Sequence, residues 1–272
     1  MRKLATRFPG SRPNREETLY FQRVFGVGPN QILHDFIVSH VLDLLRMHKD
    51  ELLFAGGTAL ARAYLKSHRF SEDIDLWTNP AKPDLEVSEL GTRIHETLME
   101  GLPSRVGRPV VDVPLGKAHK DTTPSIYSFG PVSIRLQLLN SEHYPAWPVT
   151  EQEINLRYEG FPPLRLTTLT PGGFVCAKTL AWSDTTRNAP RDLYDLWALS
   201  QQGWINHEAA RLYAKLGPSG KPPNRLTLPR SAPTVQEWQT ALAHQCQLQV
   251  GPDEAWSIVI SAWENAAKTS SL

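Results

Sequence analysis

The chain has 272 residues, which is enough for one large domain or two small ones with a substantial apolar core. Its 29 Lys and Arg almost balance its 28 Asp and Glu, which excludes a strongly basic surface over the whole chain. No apolar run approaches the length of a membrane span, and no apolar stretch typical of a secretory signal follows the basic N-terminus. The cysteines, Cys176 and Cys246, lack the spacing of a disulfide framework or a zinc site, so we expect a cytoplasmic protein.

The first third of the chain predicts alternating helices and strands. Residues 1–30 are polar and rich in Arg, Pro and Gly, and we interpret them as a loosely ordered arm with a short helix near 15–24. Residues 31–49 carry apolar side chains at helical spacing. A short apolar run at 52–54 ends in two glycines, as a buried strand does where it reaches a turn. A compact helix at 59–66 and an alternating strand at 73–77 follow.

The rest of the chain predicts further strands and then helices. A helix at 80–101 precedes strands near 108–114, 124–130 and 132–139, whereas residues 141–170 form a mixed region that prolines interrupt. Helical patterns then occupy residues 173–182, 191–201, 208–216, 235–249 and 253–268. The predicted fold class is therefore α+β. It comprises an arm at 1–30, a core with a mixed sheet at 31–170 and a mostly helical C-terminal part at 171–272.

The turn Gly56-Gly57-Thr58 has the composition of a phosphate-binding loop. Glycines allow the backbone to approach a polyanion closely, and the start of a helix contributes partial positive charge. The hydroxyl of Thr58 could donate a further hydrogen bond. A pair of glycines between a strand and a helix is also ordinary turn chemistry, so the turn alone decides nothing.

Asp73 and Asp75 are candidate metal ligands. Residues i and i+2 of a strand project to the same side, so both carboxylates could bind the same Mg²⁺ or Mn²⁺ ions. Paired ions of this kind activate an attacking oxygen and stabilise a leaving pyrophosphate. The alternative is a solvated strand face. Apolar neighbours on this strand favour the metal site, because two like charges beside a buried surface are costly without a cation.

The longer pattern resembles a known family. The string from Phe54 to Leu60, followed by Arg69-Phe-Ser-Glu-Asp-Ile-Asp-Leu76, is similar to the AbiEii/AbiGii-type nucleotidyltransferase toxins, members of the polymerase-beta-like nucleotidyltransferase superfamily. The segment from Phe174 to Trp182 resembles the family helix that carries a lysine. Arg187 with the string Arg191–Leu196 resembles a later family motif. The matched stretches run from about residue 33 to 199, and nothing beyond Gly217 is covered.

The resemblance implies a role for several residues. Gly56, Gly57 and Thr58 would hold the phosphates of a nucleoside triphosphate. Lys178 would contact the triphosphate, Arg191 would assist nucleotide binding, and Asp192 would act near the acceptor as a base or an orienting group. The implied reaction transfers a nucleoside monophosphate from the triphosphate to an acceptor, which in this family would be the 3′ end of tRNA. A cognate antitoxin protein is the implied partner.

The sequence departs from the superfamily in one respect. Many of these enzymes take a third carboxylate ligand from a neighbouring strand, but the strand at 132–139 offers Gln137 or Arg135 there. A site with two carboxylates, a third ligand from elsewhere such as Asp192, or a weakened enzyme would each explain this. Two other functions remain open: a nucleotidyltransferase that modifies protein, and a catalytically weakened module that binds a nucleotide or a partner.

Overall fold

The computed structural model describes residues 12–82, 84–117, 123–184 and 189–269. These residues form two compact units. The first comprises the described residues within Met1–Tyr144 together with Glu151–Thr168, and the second comprises Pro145–Thr150 together with the described residues within Leu169–Leu272. The predicted boundaries at residues 30 and 170 stay predictions, and the first eleven residues of the predicted arm lie outside the described residues.

The first unit is built on a mixed sheet. Its strands are β1 (Leu52–Ala55), β2 (Asp73–Thr78), β3 (Val110–Val111), β4 (Ser125–Phe129), β5 (Val132–Leu139), β6 (Val149–Ile154) and β7 (Leu164–Leu169). They lie in the order β3-β4-β5-β2-β1-β7-β6. Strand β2 at the centre is antiparallel to β1 and parallel to β5, and β1 is parallel to β7. The predicted α+β class with a mixed sheet is confirmed.

Four helices accompany the sheet in the described part of the first unit: α1 (Arg15–Phe25), α2 (Pro29–Leu44), α3 (Gly56–Ala63) and α4 (Val87–Arg105). Helix α4 buries Leu90, Ile94, Leu98 and Leu102, and their regular spacing of four residues gives it a single apolar stripe. A 3-10 turn at Leu45–His48 extends α2. Helices α2 and α4 pack against each other and against β5.

The described part of the predicted arm is not loosely ordered. Asn14 and Glu17 form a reciprocal capping box that starts α1, and Gly26 ends the helix in a left-handed conformation. Phe21 and Phe25 are buried in a cluster with Phe36, Phe70 and Tyr158, among others. The predicted short helix is therefore present, and its aromatic residues anchor it to the first unit.

The second unit consists largely of helices: α5 (Pro171–Ser183), α6 (Pro190–Gln201), α7 (His207–Leu216), α8 (Val235–Leu242) and α9 (Pro252–Thr269). Helix α6 lies at its centre, in contact with α5, α8 and α9. Trp238 and Trp263 are fully buried, and the ring of Tyr194 packs edge-to-face on Trp238 at 5.6 Å. No helix in the described ranges is long and apolar enough to cross a membrane.

Three elements differ from the sequence-based prediction. Strands β6 and β7 fall in the mixed region at 141–170, for which no strand was predicted. Strand β6 buries only Ile154 fully, so its sequence lacks the apolar alternation that identifies a half-buried strand. Helix α8 was predicted to continue to 249, but it ends at Leu242, where a turn begins.

Candidate active site

The two aspartates lie side by side on one face of β2. Ile74 and Leu76 are buried on the opposite face, whereas Asp73 and Asp75 are half-buried. Because β2 is parallel to β5, Asp73 lies opposite Arg135 and Asp75 lies opposite Gln137. The structure thus places Gln137 directly beside Asp75, where the sequence predicted the departure from a third carboxylate.

Gly56 provides the space into which the carboxylate of Asp75 fits. A Cβ atom built on Gly56 would lie 2.8 Å from Cγ and 2.9 Å from Cβ of Asp75, closer than real Cβ atoms come to other atoms. Gly56 also has a φ of +73°, a conformation that favours glycine. The first glycine of the turn is therefore required by the aspartate, independently of any ligand.

Gly57 is covered by the segment that leads into β2. A Cβ at this position would lie 2.7 Å from Nη2 of Arg69 and 3.0 Å from Oγ of Ser71. The buried guanidinium of Arg69 also donates from Nη1 to the carbonyl of Phe70 at 2.9 Å. Arg69 and Ser71 thus hold the approach to the strand against the turn, a contact that sequence patterns did not reveal.

The hydroxyl of Thr58 has a hydrogen-bond partner within the first unit. Its buried hydroxyl donates to the backbone carbonyl of Asp73. This hydrogen bond joins the first turn of α3 to the start of β2. The predicted hydroxyl contact with phosphate stays a prediction, but the observed contact shows that Thr58 positions the first aspartate.

Helix α3 begins without a side-chain cap from the residue before it. Ala55 occupies the position before the helix and has no side chain that could cap it. The first-turn N–H groups therefore receive no capping hydrogen bond from this residue, as in helices that bind anions at their N-termini. The turn, its helix and the paired carboxylates together form one face of the first unit.

The second unit contains a compact ionic cluster. The ammonium of Lys178 on α5 lies 2.8 Å from Oδ1 of Asp192 and 2.8 Å from Oδ2 of Asp195, both on α6. Exposed fractions of the three side chains are 11%, 9% and 2%. Lys178 is therefore largely shielded from solvent, and the two aspartates, three residues apart on α6, face the same way.

Arg191 also contacts the end of α8 in the second unit. Its Nε donates to the carbonyl of Ala241 at 3.2 Å, next to the end of α8. This contact ties α6 to α8, and the predicted nucleotide-binding role of Arg191 stays a prediction. Arg187, which was part of the resemblance, lies outside the described residues.

The geometry agrees with what the comparisons with known proteins show. The sequence model of the nucleotidyl transferase AbiEii toxin, a type IV toxin–antitoxin system family, matches residues 43–260. The chain belongs to the AbiEii family. The matched residues include the turn, both aspartates and the Lys178 cluster, and the predicted family and enzyme class are confirmed: the chain is a nucleotidyltransferase of the toxin type.

Two solved structures are similar to the chain at low sequence identity. A crystal structure of a nucleotidyltransferase candidate from H. pylori is similar to this AbiEii-family chain, with a TM-score of 0.49, 16% identity, and coverage of 95% of this chain and 98% of that one. An antigenic nucleotidyltransferase-like protein from Paracoccidioides brasiliensis gives a TM-score of 0.40 and 16% identity, with 84% and 92% coverage. The search of curated proteins found no match.

The donor set of the AbiEii-family site fits a magnesium ion that comes with a nucleotide. Magnesium is commonly held by one or two carboxylates together with phosphate oxygens and waters, and Asp73 and Asp75 supply such a pair. Among the described residues, no group of three or more His, Cys, Asp or Glu side chains is placed to bind a metal. The site on the first unit therefore suits a metal that is completed by substrate phosphates.

An aromatic pair extends the aspartate-bearing face. Trp77 follows Asp75 by two residues on β2 and lies half-buried, not fully buried as its apolar character suggested. Its ring stacks on Tyr144, with centroids 4.7 Å apart and planes at 19°. The spacing of Asp73, Asp75 and Trp77 could have indicated this shared face, but the partner ring was too distant in sequence to find.

Proposed function

We propose that this AbiEii-family enzyme transfers a nucleoside monophosphate from a nucleoside triphosphate to an acceptor hydroxyl, in a reaction that requires a divalent metal and releases pyrophosphate. The observation that carries the proposal is the packing of the Asp75 carboxylate against Gly56 at the start of α3. This packing supports the proposal because it puts the start of α3, where we propose that phosphate binds, next to the carboxylate that we propose binds the metal.

Each part of this face has a proposed task. Asp73 and Asp75 would hold Mg²⁺, with Mn²⁺ as an alternative, and the metal would supply charge neutralisation at the phosphates. The N–H groups of Gly56, Gly57 and Thr58 bind phosphate oxygens. Thr58 additionally fixes the backbone of Asp73 through its hydroxyl. Arg69 and Ser71 keep the chain that enters β2 pressed against Gly57.

The residues of the second unit have proposed roles in the same reaction. Lys178 neutralises charge on the triphosphate, Arg191 assists nucleotide binding, and Asp192 orients or deprotonates the acceptor hydroxyl. The ammonium of Lys178 is engaged by Asp192 and Asp195. The proposed phosphate contact of Lys178 would therefore be made by an ammonium that already holds two carboxylates.

The proposed acceptor is the 3′ end of tRNA, and the proposed partner is a cognate antitoxin protein. Family membership supports both, because the family description is that of a toxin in a toxin–antitoxin system. Lys221, Arg225 and Arg230 are exposed in the second unit and could contact an RNA backbone. Cys176 and Cys246 are buried and neither takes part in a disulfide, which suits the reducing cytoplasm that we propose as the location of the protein.

The acceptor can be tested with labelled substrates. The enzyme is incubated with each α-labelled nucleoside triphosphate, Mg²⁺ and a mixture of total RNA and total protein, and the product is digested with ribonuclease or protease. Label that is lost with ribonuclease supports the proposal, and oxidation of the RNA 3′ ends with periodate should abolish it. Label on polypeptide would instead select a protein-modifying enzyme. Tight nucleotide binding without labelling would select the binding module, which Gln137 in place of a carboxylate favours.

A further inference from the structure

A buried ionic network lies beneath the turn and the aspartate strand of the first unit. Asp35 on α2 is 1% exposed, and its Oδ1 accepts from Nη2 of Arg62 at 2.8 Å and from Nη1 of Arg157 at 2.8 Å. The hydroxyl of Tyr158 lies 3.0 Å from Oδ2 of Asp35. One carboxylate thus serves two guanidinium groups and a phenol that are almost fully shielded from water.

The two arginines connect Asp35 to two segments of the proposed site: the helix α3 and the segment that enters β2. Arg62 lies on α3, the helix that begins at Gly56. Arg157 donates from Nη2 to the backbone carbonyl of Arg69 at 3.3 Å, and the side chain of Arg69 lies against Gly57. Asp35 therefore connects through one arginine to the helix of the phosphate turn, and through the other to the segment that enters β2.

The loop that carries Arg157 is built around Arg62. The Nη1 of Arg62 donates to the carbonyl of Asn155 at 2.9 Å, and the N–H of Asn155 donates to the carbonyl of Arg62 at 3.0 Å. The side chain of Asn155 then accepts from the N–H of Arg157 at 2.8 Å. These contacts fix the position from which Arg157 reaches Arg69.

Arg157 is held in an unfavourable backbone conformation. Its φ is +65°, the left-handed region that side-chain-bearing residues rarely adopt, and it is the one residue other than glycine with positive φ in the described part of the chain. Its guanidinium stacks over the rings of Phe25 at 5.1 Å and Phe70 at 4.7 Å. Strained residues persist where the surrounding structure requires one geometry, and they concentrate at functional sites.

Buried charged side chains stabilise a protein interior no better than apolar side chains of similar volume. Burial lowers the pKa of Arg62 to about 10 despite the neighbouring charge of Asp35, so the guanidinium stays charged at neutral pH. Two cations and one anion are therefore buried together, and well-packed apolar side chains would often be as stable in such a place. A need for defined geometry explains the network better than a need for stability.

We propose that Asp35 and Arg157 are positioning residues, which set the phosphate-binding turn on α3 and the metal-binding strand β2 in the mutual arrangement that nucleotidyl transfer requires. The inference rests on the proposed function for its catalytic consequence. Its structural core, the coupling of residues 56–64 to residues 69–75 through Asp35, stands independently of any activity. Both side chains are shielded from solvent, so in this proposal they act through Arg62 and Arg69.

The same helix provides a matched control. Asp43, near the other end of α2, also bridges two arginines: its Oδ1 lies 2.7 Å from Arg46 and its Oδ2 lies 2.6 Å from Arg105. It is 8% exposed, and its partners lead to α4 and to the carbonyls of Pro162 and Pro163. The variants Asp35→Asn and Asp43→Asn therefore each remove one bridging charge from α2, but only the first weakens the link to the site.

The kinetic test compares these variants at a temperature where circular dichroism shows each to be folded. We expect Asp35→Asn to lower kcat for nucleotide transfer about tenfold to a hundredfold, with KM changed much less, because misplaced groups lose alignment in the transition state. Asp43→Asn should keep kcat within about threefold of the wild type. Arg157→Lys, a milder change that can keep the contact with Asp35 but not the fork to Arg69, should show an intermediate kcat. Equal loss of kcat in Asp35→Asn and Asp43→Asn would overturn the inference.

A second measurement keeps the inference testable if the enzyme shows no transfer activity. Hydrogen exchange followed by mass spectrometry should show faster exchange in peptides covering residues 56–64 and 69–78 for Asp35→Asn and Arg157→Lys, relative to the wild type and to Asp43→Asn. Unchanged exchange in both segments overturns the positioning role. If the exchange pattern appears while the wild type transfers nothing, the proposed reaction fails and the coupling of the two segments stands.

Discussion

The carboxylate of Asp75 occupies the space in which a side chain at Gly56 would lie. Built on Gly56, a Cβ would be 2.8 Å from the Asp75 Cγ. Two short motifs that are almost twenty residues apart therefore depend on each other. Only a residue without a side chain at position 56 leaves room for the Asp75 carboxylate, which lies against the start of the helix. This mutual fit makes the spacing of the two motifs a physical requirement.

Replacement of Gly56 by alanine should abolish nucleotide transfer. The added methyl group must displace Asp75, and the backbone at φ +73° also becomes strained, at a cost of about 1 kcal/mol. We expect at least a hundredfold loss of labelling. Gly130→Ala is the control, because Gly130 has a φ of +63° with nothing within 4 Å of the added Cβ. It should lose similar stability but retain activity, and equal activity of the two variants would refute the steric argument.

Removal of the Lys178 charge should destabilise the second unit. Lys178→Met leaves Asp192 and Asp195 together without their shared cation, and we expect the free energy of unfolding to fall by about 3 kcal/mol. Denaturant titration measures this. Lys215→Met, at an exposed position on α7, should change it by less than about 0.5 kcal/mol.

Neutralisation of one aspartate should relieve this penalty. Adding Asp195→Asn to Lys178→Met removes one of the two like charges, so the double variant should be more stable than Lys178→Met alone. A double variant that is less stable by the full sum of the single effects would show that the three side chains do not form one ionic unit.

A carboxylate at position 137 should strengthen the metal requirement that we propose. Gln137 lies opposite Asp75 on the adjacent strand, so Gln137→Asp adds a third acidic group to the same face. We expect the Mg²⁺ concentration for half-maximal labelling to fall, and Mg²⁺ to raise the melting temperature more than in the wild type.

The control for this change is Ser133→Asp. Ser133 lies on the same strand as Gln137, four residues away, which is about 13 Å along a strand. The Ser133→Asp variant adds the same charge without adding a ligand next to Asp73 and Asp75, so the Mg²⁺ dependence of its labelling should match that of the wild type. If Gln137→Asp and Ser133→Asp respond alike, Gln137 does not lie at a metal site.

The buried thiol of Cys176 should make stability depend on pH in alkaline solution. Burial raises the pKa of this thiol to about 12, from a reference value of 9.0. Between these values the unfolded chain loses the proton and the folded chain keeps it, so the free energy of unfolding falls by up to about 1.4 kcal/mol per pH unit. The stability advantage of the wild type over Cys176→Ala, measured by denaturant titrations at pH 8, 9 and 10, should therefore shrink by about 1 kcal/mol over this range. A constant difference would contradict the burial of this thiol.

Local sequence patterns were sufficient to predict an element and its bounds where the apolar residues of that element follow one strong periodicity. The alternation of Val132, Ile134, Leu136 and Leu138 predicted β5 with the bounds that the structure has. The resemblance to the superfamily implied that Gln137 or Arg135 would stand beside the aspartates, and the parallel register of β2 and β5 places both residues there. Patterns failed at β6, whose two faces are both largely polar.

Contacts between distant segments could not be predicted from one sequence. Asp35 and Arg157 are separated by 122 positions, and neither belongs to a recognisable motif. Asp35 lies among apolar residues of α2, which was the one local sign of a buried charge. The role of Thr58 also depended on the fold, because only the structure shows that its hydroxyl meets the backbone of Asp73.

The central claim is that Asp73 and Asp75 support transfer of a nucleoside monophosphate. The most direct measurement compares label from α-labelled and γ-labelled nucleoside triphosphates, in the presence of Mg²⁺ and total RNA, for the wild type and Asp75→Asn. The account predicts that the wild type incorporates the α label but not the γ label, and that Asp75→Asn incorporates neither. Incorporation of the γ label, or undiminished α labelling by Asp75→Asn, would contradict it.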